Sequence, residues 1–193
     1  LKKLVQTTLK GRVYEGSDMS ECTHVVVVRP VKRTVKLCAA VSLPHVHLVT
    51  DEWIKACESA KSFVDHKPHV LGGEHASKLG AAVAWSFNAS ASRKRAADGV
   101  GCLAGHSFFV TPCKAPKRMG DADVQLLVRT AGGTVLTSPP SAGSGAAIVL
   151  STEDEKGAWS KLARLRHVSV MRVDHLLTCV LRQELDLTEG RLE

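Results

Sequence analysis

The feature that most constrains this chain is a twofold alternation of short, β-branched runs with helical segments. Such alternation favours parallel sheets whose faces are covered by helices. The predicted strands are Arg12–Tyr14, Thr23–Val28, Val46–Val49, Ser107–Val110, Thr134–Leu136, Ala147–Leu150 and Val168–Val170. The sequence therefore predicts an α/β fold that occurs twice along the chain.

Apolar residues at helical spacing and local end signals predict the helices between these strands. In the first half, a helix over Leu1–Leu9 ends near Gly11, Pro30 opens a second helix, and Thr50 caps a third. In the second half, Thr152 and Glu155 form a predicted capping box. The other helical faces there are Val124/Leu127/Val128/Ala131 and Val173/Leu176/Leu177/Val180/Leu181.

A long segment rich in small residues separates the two halves. It runs from Ser59 to His106 and contains one short predicted helix, Ala89–Ala97. A compact domain rarely tolerates so long a connection. We therefore expect a first domain over residues 1–71, a linker over 72–105 and a second domain over 106–193.

Composition narrows the function classes. Of 193 residues, 44% are hydrophobic and 23% are charged, which excludes wholesale disorder. Apolar runs such as Val25–Val28 are far shorter than the ~20 residues of a membrane span, so no membrane partner and no secretory signal are expected. The net charge of +7 favours an acidic partner, either nucleic acid or a phosphorylated protein, with plain solubility as the alternative.

The residues that usually carry metal or catalytic chemistry are scattered. The six cysteines form no C-x-x-C pair, and most lie in apolar segments, as expected of free thiols in a reducing compartment. No nucleophile elbow, Gly-rich phosphate loop or pair of catalytic carboxylates is present. The sequence thus predicts a protein without cofactor or metal that is not an enzyme.

Several motifs, taken in order, resemble a known family. They are Leu9-Lys10-Gly11-Arg12-Val13, Thr23-His24-Val25-Val26-Val27, Arg33-Thr34-Val35-Lys36, Val49-Thr50-Asp51-Glu52-Trp53-Ile54, His106–Pro112, Gly132-Gly133-Thr134 and Asp174–Leu181. Each motif is weak alone, but their order and spacing resemble two BRCT domains in tandem. The likeness is greatest to the C-terminal pair of the DNA damage checkpoint mediators.

This resemblance implies two four-stranded parallel sheets flanked by helices, with the repeats packed through helices. It also implies a nuclear adaptor of DNA damage signalling that binds phosphoserine or phosphothreonine peptides. The first repeat would hold the phosphate, and the groove between repeats would read the residue three positions later. The strand that opens a BRCT repeat, ending in Thr/Ser-Gly, is absent from the first repeat of the sequence. In the second repeat Pro112 follows Thr111 and offers no N–H, so no phosphate site is expected there.

Candidate site residues follow from the same resemblance. The expected phosphate-binding residues are Lys36 and Thr34. Thr34 would orient Lys36 or the hydroxyl of the absent strand, with simple helix packing as the alternative. A dianion suits a helix N-terminus that carries cations, although a solvated basic face would look the same in sequence. The expected contacts to the third residue after the phosphate, or to a terminal carboxylate, are Arg33, Cys38, Met171, Arg172, Leu176 and Thr178, of which Leu176 suits the core better than a contact.

Arg33 is the most specific of these residues. A guanidinium fork can bind a carboxylate through two parallel hydrogen bonds. The resemblance therefore implies a peptide that ends soon after its phosphoresidue, such as a histone C-terminal tail. The alternative is that Arg33 pairs with an acidic residue of the linker, such as Glu74 or Asp98.

Two other functions remain open at this point. The basic triplet Arg93-Lys94-Arg95 and the net charge would suit DNA binding. The absent first strand would suit a scaffold that binds proteins without reading phosphate.

Overall fold

The computed structural model describes residues 2–16, 19–79, 82–112 and 119–193. The strands are β1 His24–Val27, β2 His47–Thr50, β3 Glu74–Leu79, β4 Ala82–Asn88, β5 Ser107–Val110, β6 Thr134–Val135, β7 Ala147–Ser151 and β8 Val168–Arg172. The α-helices are α1 Val35–Ser42, α2 Asp51–Ala60, α3 Ala89–Asp98, α4 Asp121–Thr130, α5 Lys156–Trp159 and α6 Val173–Arg182. A π-helix covers Leu4–Thr8, and 3-10 helices cover Lys67–His69, Glu153–Glu155 and Leu162–Arg164.

The second repeat has the predicted parallel sheet. Its strand order is β6-β5-β7-β8, and every neighbouring pair is parallel. β7 is buried along its whole length, as expected of a central strand covered on both faces. The α/β fold with helices flanking parallel strands is therefore confirmed.

In the first repeat, β1 and β2 pair in parallel, with His24 opposite His47 and Val27 opposite Thr50. The strand predicted over Arg12–Tyr14 does not form, so that prediction was wrong. The second repeat supplies the physical reason. Its corresponding strand, β6, pairs only with β5, and the described residues of the first repeat contain no counterpart of β5.

The segment between the repeats is more ordered than the sequence indicated. The short helix predicted over Ala89–Ala97 is confirmed as α3. Before it, β3 and β4 form an antiparallel hairpin that the sequence analysis missed. Trp85 and Phe87, two positions apart on β4, are buried in the main core, so the hairpin is packed against the body of the protein.

Two of the three predicted helix starts need correction. The helix after β1 begins at Val35, because Thr34 can accept a backbone N–H as an N-cap and the residue before Pro30 cannot. α2 begins directly after Thr50, as predicted, although the Thr50 side chain makes no capping hydrogen bond. The capping box also fails, because Thr152 precedes a short 3-10 turn and its hydroxyl has no hydrogen-bond partner among the described residues.

Helices join the two repeats. α1 packs against α4 and α6, and α3 packs against α1 and α6. One buried apolar cluster therefore extends from the first repeat into the second, for example from Val41 to Leu127 and Val180. Gln183, just after α6, donates a buried hydrogen bond of 2.8 Å to the Ser42 hydroxyl across this joint.

Within the described ranges, no helix has the length and apolar character needed to cross a membrane.

Candidate functional site

The start of α1 is the centre of the candidate site. Thr34 has an extended backbone, and its hydroxyl accepts the N–H of Leu37 at 3.2 Å. The Thr34 side chain therefore caps α1, while its role in orienting Lys36 stays a prediction. The cap places Lys36 at the second position of α1, in the turn where unpaired N–H groups make the helix end positive.

Lys36 is exposed and lies beside an apolar groove of about 950 Å³. Val25, Trp53 and Phe63 also line this groove. The Lys36 ammonium donates a 3.4 Å hydrogen bond to the Glu15 carbonyl. The hydrogen bond from Lys2 lowers the pKa of the Glu15 carboxyl, and the charge of Lys36 lowers it further. The charge of Lys36 thus favours the ionised form of a neighbouring carboxyl.

The corresponding place in the second repeat carries acidic side chains together with Lys156, the first residue of α5. Here the buried Thr111 hydroxyl donates to Ser151 Oγ at 2.8 Å and lies 3.3 Å from a Glu155 carboxylate oxygen. The turn after β7 is acidic throughout, from Glu153 to Glu155. A carboxylate at this position disfavours a phosphate.

Arg33 connects the repeats. Its Nη1 donates to the Asp174 carbonyl and to the Thr178 hydroxyl, both at 2.8 Å. Its Nη2 donates to the Asp174 carboxylate at 2.8 Å. The Arg33 side chain is 16% exposed, whereas that of Asp174 is 84% exposed. Among the described contacts, Arg33 pairs with the carboxylate of Asp174 on α6 and not with Glu74 or Asp98.

The buried members of the predicted groove wall are not at the surface. Cys38 is fully buried, its sulfur lies 3.9 Å from the Leu177 carbonyl, and burial raises the pKa of its thiol to about 12. Met171 and Leu176 are 2% and 0% exposed. The structure thus corrects the prediction that Cys38 and Met171 line an open groove, and Leu176 is the core residue that the sequence favoured. All three belong to the buried apolar cluster.

Arg172 is at the surface and pairs with Glu153 at 2.9 Å. Asp174 is the residue that sequence reasoning missed in this site. Its signal was present, because Asp174 and Thr178 are four positions apart on one helix and so share a face. The structure brings Arg33, Asp174 and Thr178 into direct contact and leaves Arg172 outside that contact.

The basic triplet is largely used inside the protein. The Arg93 guanidinium donates to five backbone carbonyl oxygens within residues 40–46 at 2.8–3.0 Å. Burial also lowers the pKa of Arg93. Arg95 Nε donates to the Arg182 carbonyl at 2.8 Å. Two of the three cations therefore bind the C-terminal ends of α1 and α6, where unpaired carbonyls attract positive charge.

Two family models match the chain, one for each repeat. The "BRCA1 C Terminus (BRCT) domain" model matches residues 6–58, and a second "BRCT domain" model matches residues 101–190. The chain is a tandem pair of BRCT domains. BRCT domains are protein-interaction modules, and no catalytic family matches.

Solved tandem BRCT pairs share this fold. The BRCT5-BRCT6 domains of S. pombe Brc1 are 21% identical, with a TM-score of 0.67 and coverage of 96% of this chain and 88% of theirs. Residues 820–1070 of Rtt107p are 10% identical, with a TM-score of 0.56 and coverage of 94% and 80%. A complex of Rtt107p with a phosphorylated histone is 12% identical, with a TM-score of 0.57 and coverage of 87% and 75%. The comparison with curated proteins gave no match.

Proposed function

We propose that this tandem BRCT pair is a phosphopeptide-binding adaptor of DNA damage signalling that acts in the nucleus. The first repeat holds phosphoserine or phosphothreonine at the start of α1, with Lys36 as the cation. The observation that carries the proposal is the charge contrast between the repeats. The first presents Lys36 beside the groove, whereas the second presents Glu155 at the matching turn.

The joint between the repeats would read the residue three positions after the phosphate. Arg33 is held there by hydrogen bonds to Asp174 and Thr178, next to the buried Cys38. A peptide that ends at this residue offers a free carboxylate. It would displace the exposed Asp174 carboxylate from the guanidinium, because both groups use the same N–H donors.

Two likenesses support a ligand of this type. The Rtt107p pair was solved with a phosphorylated histone. The sequence motifs resemble the C-terminal pair of the mediator of DNA damage checkpoint protein. We therefore infer that a phosphorylated histone C-terminal tail is a suitable probe and represents the class of partner.

Fluorescence anisotropy tests the proposal with a phosphorylated C-terminal peptide of the histone found in the Rtt107p complex. The unphosphorylated peptide should bind at least tenfold more weakly, because a charge-assisted hydrogen bond contributes ~1.5–3 kcal/mol. Equal dissociation constants for the two peptides would remove the proposal. DNA binding with a steep salt slope and no peptide binding would favour the nucleic-acid alternative instead.

The same peptide with an amidated C-terminus tests the role of Arg33. We expect amidation to cost ~1–2 kcal/mol, the excess of a charged over a neutral hydrogen bond. Arg33→Ala should erase the difference between acid and amide. Asp174→Asn, which removes the competing carboxylate, should enlarge it. Indistinguishable affinities in the unmutated protein would mean that an internal motif is read, and the histone-tail ligand would be abandoned.

A further inference from the structure

Three histidines meet at the amino ends of β1 and β2. His24 and His47 are paired in the sheet register, and His66 precedes the 3-10 helix Lys67–His69. The ring centres of His24 and His47 are 5.1 Å apart, those of His24 and His66 are 4.9 Å apart, and those of His47 and His66 are 3.9 Å apart. α1 follows the other end of β1, but two members of this histidine trio (His24, His47, His66), His24 and His66, line the same groove as Lys36.

The trio has unused nitrogen ligands. His24 Nδ1 lies 3.0 Å from the Thr23 hydroxyl, while its Nε2 is buried and has no hydrogen-bond partner among the described residues. Trp53 stacks on the His24 ring at 4.5 Å and fixes its plane. A histidine binds a metal through such an unpaired ring nitrogen.

The spacing of the rings is close to that of a tetrahedral metal site. With metal–nitrogen bonds of about 2.1 Å, three imidazoles around one zinc ion have ring centres roughly 5 Å apart. Two of the three separations already meet this value. The third, between His47 and His66, must widen by roughly 1 Å. The ring nitrogens do not yet lie within 4.8 Å of one another, so at least one ring must rotate. His47 is exposed and free to do so.

We propose that His24, His47 and His66 form a binding site for a zinc-type transition-metal dication, with a fourth position open to water or another ligand. The bound ion would connect β1, β2 and the segment after α2. This site could not be predicted from the sequence, because His24 and His47 are 23 positions apart and His47 and His66 are 19 positions apart. The three residues come together only through the parallel pairing of β1 with β2.

A second cluster competes for the same assignment. Ligand atoms of His175, Asp186 and Glu189 all lie within 4.8 Å of one another. However, Asp186 Oδ1 already accepts from the Thr188 backbone and hydroxyl at 2.7 and 2.6 Å. The exposed Glu189 carboxylate also has Arg182 at 4.0 Å. The experiment must therefore separate this C-terminal cluster from the histidine trio.

Titration of the metal-free full chain with Co²⁺, followed by Zn²⁺ displacement, tests the proposal. We expect one equivalent of Co²⁺ to give the visible absorption of a tetrahedral site and Zn²⁺ to abolish it. Cu²⁺ should quench the fluorescence of Trp53, which lies against His24. His47→Gln and His66→Gln should each weaken Co²⁺ binding at least tenfold, and circular dichroism checks that both variants remain folded.

The matched controls are His45→Gln and His69→Gln, which are near the trio in sequence, His175→Gln in the competing cluster, and Cys22→Ser. All four should retain binding. Retention of one-to-one binding in both His47→Gln and His66→Gln would overturn the proposal. So would loss of binding in His175→Gln or Cys22→Ser alone, or no binding by the unmutated chain at micromolar metal.

Discussion

Replacing Arg93 with Met tests the claim that the basic triplet is structural. Its guanidinium donates to five carbonyl oxygens within residues 40–46, at the end of α1 and in the turn before β2. Methionine fills similar space but donates nothing. The substitution therefore leaves the carbonyls at the negative end of α1 without their cation.

The magnitude follows from these contacts. A hydrogen bond to a charged group contributes ~1.5–3 kcal/mol. The five contacts share one half-buried guanidinium and are not additive, and water can replace some of them. We therefore take about two bonds, which gives a loss of ~3–6 kcal/mol in the free energy of unfolding. For a chain of this size, that loss lowers Tm by roughly 6–24 °C.

Urea unfolding followed by circular dichroism measures the effect. Arg93→Lys should recover only part of the loss, because an ammonium keeps the charge but cannot reach all the carbonyls that the two terminal guanidinium nitrogens contact. The control is Lys94→Met, since Lys94 is the exposed neighbour in the same triplet. An Arg93→Met variant as stable as Lys94→Met would refute the reasoning. Arg93 would then again be a candidate for DNA binding.

Three further predictions follow from single positions. Gly132 has φ +88°, and a Cβ there would meet the Val100 carbonyl oxygen at 2.6 Å. Gly132→Ala should therefore lower the free energy of unfolding by ~1–3 kcal/mol, and an unchanged Tm would contradict this. Gln183→Ala loses the buried hydrogen bond to Ser42 and should cost ~1–3 kcal/mol in urea unfolding, whereas a cost near zero would mean that the contact adds nothing. Burial raises the pKa of Cys38 to about 12, so iodoacetamide at pH 8 should label Cys38 only in urea; mass spectrometry showing rapid labelling of the native protein would contradict that burial.

Much of the fold could be predicted because local patterns and tertiary packing agree. β7 is an apolar run that is buried along its whole length, β5 and β8 are short apolar runs that are partly buried, and α4 shows its apolar face directly in the sequence. These signals do not depend on distant residues. Predictions were wrong where two local signals competed, as at Pro30 and Thr34, since only the folded chain shows which residue accepts the N–H of the first helical turn.

The candidate site was less accessible to sequence reasoning. Lys36 and Arg33 were predicted, but the residue that holds Arg33 in place is Asp174, 141 positions away. Exposure was also misjudged at Cys38, because helix packing across the joint buries it. The β3–β4 hairpin was missed because its alternating pattern consists largely of small residues, with Trp85 and Phe87 as the main signal.

The central claim is that Lys36 reads the phosphate, and a thermodynamic cycle tests it most directly. Affinities are measured for the phosphorylated and unphosphorylated histone tail peptide, each with the unmutated chain, Lys36→Met and the control Lys94→Met. We predict that phosphorylation strengthens binding at least tenfold in the unmutated chain and in Lys94→Met, and that Lys36→Met removes most of this gain without lowering Tm. A phosphorylation gain that is the same in all three proteins would contradict the claim.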